Sequence, residues 1–213
     1  RAVKYAADNG ACIIQCSYGY SSASGGSTMT TDKRFKEFSP LLVEALEYFY
    51  NSKNCEALDG GIAIYAAGND GKLVSSYPGA YSKNISVTAI GPDGLPAAYT
   101  NYGPGCNIAA PGGEVSGFSG GAKAGILSTV CSELPDTQDT DYAFLQGTSM
   151  ACPHVSGVAA LGLAYAAKQH RHYRAADFIN LMKKSVKDLN HYYENGATKT
   201  YYLNHTTVGA SPE

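Results

Sequence analysis

The clearest chemical signal in this chain is the run Gly147-Thr148-Ser149-Met150-Ala151-Cys152-Pro153-His154-Val155-Ser156-Gly157. The small residues after Ser149 predict a helix from Ser149 to about Lys168, with Pro153 in its first turn, where a missing backbone N–H costs nothing. Ser149 then stands at a helix N-terminus. Its own N–H and the positive end of the helix dipole both favour negative charge developing on an oxygen beside it. Given a base to take its proton, a serine so placed can act as an acyl-accepting nucleophile. The plainer role for a serine before a helix is an N-cap.

A second segment, Ala66-Ala67-Gly68-Asn69-Asp70-Gly71, directly follows an apolar strand, and a third, Cys16-Ser17-Tyr18-Gly19, closes an earlier one. Alone, Gly68-Asn69 reads as a turn. Tyr77-Pro78-Gly79-Ala80, Ala110-Pro111-Gly112 and Ile126-Leu127-Ser128-Thr129 complete the series. In this order, from Arg1 to about Ala167, the segments resemble the subtilisin-like serine peptidases. The resemblance implies Ser149 as the catalytic serine and Asn69 as the side-chain donor to the oxyanion. It also implies a substrate-binding role for Ser17, Tyr18 and Gly19, with Ala67 and Gly68 beside them, the strand gripping an extended peptide by edge pairing.

Departures from the family pattern shape the rest of the expectation. Subtilisin-like triads run Asp, His, Ser along the chain, yet all five histidines (His154, His170, His172, His191, His205) follow Ser149. His154, the histidine within the motif, is read as structural. His170 and His172, flanked by Lys168, Arg171 and Arg174, read as a solvated helix end. Residues 1–213 are therefore expected to form the C-terminal part of a single subtilisin-like catalytic domain. The triad Asp and His would come from a second polypeptide carrying the absent N-terminal part, because Arg1 to Gly10 reads as a helix already under way. Two alternatives keep the resemblance: a peptide ligase or cyclase, or a catalytically inactive peptide-binding pseudoenzyme. The chemistry calls for no cofactor. The family often binds structural calcium, but Asp136, Asp139 and Asp141 lack EF-hand spacing and read as an exposed acidic loop. The resemblance also implies a secreted or cell-envelope setting, and Asn84-Ile85-Ser86 and Asn204-His205-Thr206 match glycosylation acceptors by pattern only.

The elements that would position these groups alternate. Apolar strands at Ala11–Cys16, Ile62–Ala67 and Ile85–Ile90 intersperse with helices at 1–10, Pro40–Tyr50 (capped by Ser39), Ser149–Lys168 and Asp177–Lys187. This predicts an α/β, three-layer arrangement with a mostly parallel sheet covered on both faces, lacking its N-terminal part. A turn at Gly91-Pro92-Asp93-Gly94 and an exposed hairpin over Gly112–Gly125 complete the reading. With 44% hydrophobic and 16% charged residues, 213 residues suit one folded domain. A net charge of −2 without a basic stripe argues against nucleic acid as a partner. No apolar stretch approaches the roughly 20 residues of a membrane span. Six dispersed cysteines, none in a C-x-x-C pair, read as mostly buried free thiols.

Overall fold

A computed structural model describes residues 1–20, 29–116, 120–131 and 141–189, with the backbone of two short antiparallel strands, Lys199–Tyr201 and Thr206–Val208. Asp136, Asp139, His191, Asn204 and His205 lie outside the described residues.

Four strands, β1 (Ile13–Cys16), β3 (Ile62–Ala66), β4 (Ile85–Ile90) and β5 (Ile108–Pro111), form one parallel sheet in that order. The first helix is α1 (Ala2–Asp8), followed beyond β1 by α2 (Asp32–Phe38) and α3 (Pro40–Tyr50). α2 escaped the sequence reading. Its signal is Thr31, whose hydroxyl accepts from Arg34 N at 3.3 Å, with Asp32 in the first turn. Ser39 precedes α3 but makes no capping bond, its hydroxyl being hydrogen-bonded to the Tyr20 phenol at 2.8 Å.

β3 shows how the layers are built. Ile62, Ile64 and Ala66 point to one face and Ala63 and Tyr65 to the other, and all five are buried. One side meets α4 (Thr148–Lys168) and α5 (Ala175–Lys184) through Ala151, Val155, Ala159 and Phe178. The opposite side meets α1 to α3 through Val3, Phe35, Leu46 and Phe49. The mostly parallel three-layer expectation therefore holds.

Two expectations are corrected. Gly112–Gly125 is not an exposed hairpin: Gly112, Gly113 and Glu114 are buried, and Gly121–Ala124 makes a 3₁₀ turn. The antiparallel hairpin lies later, between β6 (Ile126–Thr129) and β7 (Tyr142–Leu145). α4 is 21 residues long and apolar enough to cross a membrane by length and composition, so a long apolar stretch does exist; one face of it packs on the sheet as a core helix does. Its other face is not enclosed by the described residues. Val158, Leu161 and Tyr165, one turn apart, are 61%, 72% and 65% exposed. β1, at one edge of the sheet, likewise leaves Ile13 and Ile14 only half-buried.

Candidate active site

Ser149 is the second residue of α4, one place inside the helix rather than at its cap. The cap is Gly147, at φ +146°, a backbone that side-chain-bearing residues avoid, and no side chain caps the end. The N-cap role for Ser149 is thereby excluded. Pro153 is the sixth residue of α4, in its second turn and not its first. The N–H it lacks would have bonded the carbonyl of Ser149, four residues back.

Ser17, at the carboxyl end of β1, takes up that carbonyl. Its hydroxyl donates to Ser149 O at 2.7 Å, while Ser149 Oγ donates to Ser17 O at 3.3 Å. Gln15 Nε2 donates to Ser17 Oγ at 2.6 Å, which leaves the Ser17 proton free to point at Ser149.

Asn69 stands three residues past β3, opposite the start of α4. Its Oδ1 accepts from Thr148 N at 2.9 Å and from Thr148 Oγ1 at 2.8 Å. Spending the carbonyl this way turns Nδ2 away from Thr148. A point one Cβ bond out from Gly147 lies 3.5 Å from Asn69 Nδ2 and 3.6 Å from Ser149 N. Asn69 Nδ2 and Ser149 N thus lie near one another beside the serine hydroxyl, the two donors from which an oxyanion site would be built.

The loop carrying Asn69 is wrapped around a residue that the sequence reading missed. Asn101, 1% exposed, accepts on Oδ1 from Asp70 N at 3.0 Å and Lys72 N at 3.1 Å, and donates from Nδ2 to Ala67 O at 3.0 Å. Gly68, at φ +107°, passes so close to Asn101 Nδ2 that a Cβ would collide with it. Nothing local marks Asn101; it follows the loop by thirty residues in an ordinary turn.

Ser17, Tyr18, Gly19, Gly68, Asn69 and Ser149 together line one open cleft of about 240 Å³ at the carboxyl ends of β1 and β3. Such a position is where open α/β sheets place ligands. Ala67 does not line it: it is fully buried, and its carbonyl accepts from Ser76 N and Asn101. Ala66, Asp70, Ser76, Tyr20 and Thr148 line the cleft without having been singled out. The Tyr18 phenol is pushed up to about 12, first by burial and then by the Cys16 thiol, and so stays neutral across working pH. A larger cleft of about 620 Å³ between α1 and α3 lies away from this chemistry, and its carboxylates are engaged, Asp8 with Lys4 and Glu47 with Lys83.

Two of the described histidines, His154 and His172, are occupied elsewhere, and His170 does not line the cleft. His154 is exposed, its Nδ1 bonded to Met150 O at 2.8 Å, so no described residue buries it as a packing role requires. His172 is no free helix end. It binds Glu56 O through Nδ1 at 2.7 Å and Asp59 through Nε2 at 3.1 Å, tying β8 (Tyr173–Arg174) to β2 (Leu58–Asp59). Its pKa is raised, first by the Glu56 carbonyl and next by Asp59. Among the described residues no three His, Cys, Asp or Glu side chains gather as a metal site, and Asp141 is exposed.

Comparison with known proteins identifies the family. Residues 1–203 match the model of the subtilase family. Thermitase from Thermoactinomyces vulgaris is 30% identical over 93% of this chain and 56% of its own length. Halolysin from Haloferax mediterranei is 39% identical over 60% of this chain and 20% of its own. The chain thus spans about half of thermitase and a fifth of halolysin. Among solved structures, a lanthipeptide protease superposes with a TM-score of 0.68 at 23% identity, over 88% of this chain and 57% of that one. The prenylagaramide maturation protease PagA gives 0.57 at 28%, over 84% and 53%.

Proposed function

Since the chain belongs to the subtilase family, we propose that it is the nucleophile-bearing part of a serine endopeptidase that cleaves peptide bonds through an acyl-enzyme on Ser149. The gathering of Ser149, Asn69 and the Ser17–Gly19 strand end around one cleft carries this reading. Ser149 Oγ attacks the peptide carbonyl, the two donors take the charge that forms on its oxygen, and water then releases the acyl group. A peptide bound along Ser17 to Gly19 would lie over the cleft, with Ala67 acting from beneath through its backbone only.

We look for the base outside the described residues, because no described histidine lines the cleft. We assign the triad Asp and His to a second polypeptide completing one subtilisin-like domain. The exposed stripe Val158, Leu161 and Tyr165 and the half-covered edge strand β1 are the surfaces it would enclose. The chemistry uses protein groups alone, and a structural calcium would belong to residues beyond those described. Relatives named extracellular proteases support a secreted setting.

The test is fluorophosphonate labelling and peptide turnover by the full-length protein and its Ser149→Ala variant. Labelling at Ser149, with turnover falling at least about a thousandfold in the variant, is the expected result. Turnover within tenfold of the parent sinks the assignment. Product masses separate the alternatives: cleaved peptides indicate hydrolysis and cyclised or ligated ones a transpeptidase, while an unlabelled Ser149 indicates a pseudoenzyme.

A further inference from the structure

Every backbone carbonyl in the first turns of a helix bonds the N–H four residues ahead. In α4 the nucleophile is the residue denied this partner, because position 153 is proline. An orphaned carbonyl next to a reactive side chain lets the local backbone tilt, and tilt moves both Ser149 Oγ and the Ser149 N–H that faces the oxyanion space. From Ser17 Oγ at 2.7 Å from Ser149 O, with Gln15 Nε2 at 2.6 Å behind it, we infer that Ser17 is a positioning residue: its hydroxyl substitutes for the helical hydrogen bond that Pro153 removes and holds the nucleophile's turn in register with Asn69.

The direction of the relay is fixed by chemistry. The Gln15 amide donates into Ser17 Oγ, so the hydroxyl hydrogen is directed to the carbonyl rather than back along β1. The reciprocal bond, Ser149 Oγ to Ser17 O at 3.3 Å, is longer than an ordinary hydroxyl hydrogen bond and is the one a base displaces when it takes the serine's proton. The short bond anchors the backbone; the long one leaves the hydroxyl available. This role is distinct from the substrate contact given to Ser17 above, which uses its main chain and not its hydroxyl. It also explains the arrangement of an exposed serine beside a proline inside the helix, since each makes sense only with the other.

The inference rests on Ser149 being the nucleophile, and the experiment separates the two. In the full-length protein, Ser17→Ala should lower kcat about tenfold, the equivalent of one lost hydrogen bond, with KM nearly unchanged. Ser17→Thr, which keeps the hydroxyl, should lose less of kcat than Ser17→Ala does. Pro153→Ala restores an N–H at position 153, so Ser17→Ala/Pro153→Ala should recover most of the lost rate, and Ser17→Ala should lower the melting temperature less in the Pro153→Ala background than in the parent. A Ser17→Ala variant with parental kcat overturns the inference. So does a loss that Pro153→Ala does not relieve, or one expressed in KM alone. If the parent shows no Ser149-dependent turnover, the peptidase reading fails; the melting-temperature cycle then decides the Ser17 bond, and additive shifts refute it.

Discussion

Thr148→Val isolates the hydrogen bonds that aim Asn69. Thr148 is fully buried, and valine matches its shape, so the substitution opens no cavity. What goes is one hydroxyl, which donates to Asn69 Oδ1 at 2.8 Å and accepts from Gly68 N at 3.3 Å. At roughly 0.5–1.5 kcal/mol each, the two bonds account for about 1–3 kcal/mol. Asn69 Oδ1 keeps one donor, the Thr148 backbone N–H at 2.9 Å, so the amide loosens rather than swings away. We expect kcat to fall about tenfold, within the roughly 5- to 150-fold range that this energy spans. KM should stay within about threefold, because the amide meets charge present only in the transition state. The melting temperature should drop by about 3–8 °C for a domain of this size. Steady-state kinetics on a chromogenic peptide and calorimetry of the full-length protein provide both readouts. Unchanged kcat with a lowered melting temperature would refute the reasoning, since Thr148 would then brace the fold without aiming the donor.

Asn69→Leu should reduce kcat more than Thr148→Val does, with little change in KM; an effect confined to KM would move Asn69 from catalysis to substrate binding. Leu161→Glu should loosen the second polypeptide's hold about tenfold or more, because covering a leucine that is 72% exposed is worth about 1–2 kcal/mol. Undiminished co-purification with the Asp- and His-bearing polypeptide would show that this stripe is not the contact. His172 has a raised pKa, so its tie to Asp59 contributes stability fully below the ordinary histidine value of 6.5 and loses it as pH rises through the folded value. Melting temperatures of the parent and Asp59→Asn should therefore differ at pH 5 and converge at alkaline pH; a constant gap would remove the charge from the explanation.

The sequence made the buried strands readable because β3 is apolar on both faces and β4 nearly so, with only Ser86 and Thr88 interrupting it, a pattern that suits a parallel sheet between helices. Ser149 and Asn69 were legible from motif order, and the structure brings them to one cleft. Asn101 was not legible, because its shortest bonds, to Ala67, Asp70 and Lys72, go to main-chain groups that leave no trace in residue types. α2 was overlooked for a different reason: seven residues, five of them charged, show little periodicity, and only its cap betrays it. Pro153 was set a turn too early because the helix was started at Ser149 and its first turn stretched to reach the proline, while Gly147 in fact ends the preceding segment. The exposed face of α4 could not be foreseen from small residues that suit close packing on every side; which side lacks a neighbour is a property of the assembled layers.

The Asn101 arrangement bears on how this protein can be re-engineered. The loop from Ala67 to Lys72 is held from outside itself: the Asn101 side chain bonds Ala67, Asp70 and Lys72, and the main chain of residues 99–102 bonds Gly68, Gly71 and Lys72. Loop and asparagine are therefore a single part supplied in two pieces of sequence. Grafting the 67–72 segment from a relative without its own residue at 101, or randomising position 101 in a library as an ordinary turn residue, would take that support away. Recombination breakpoints between Lys72 and Asn101 should be depleted among active chimeras, whereas breakpoints just after Asn101 should be tolerated.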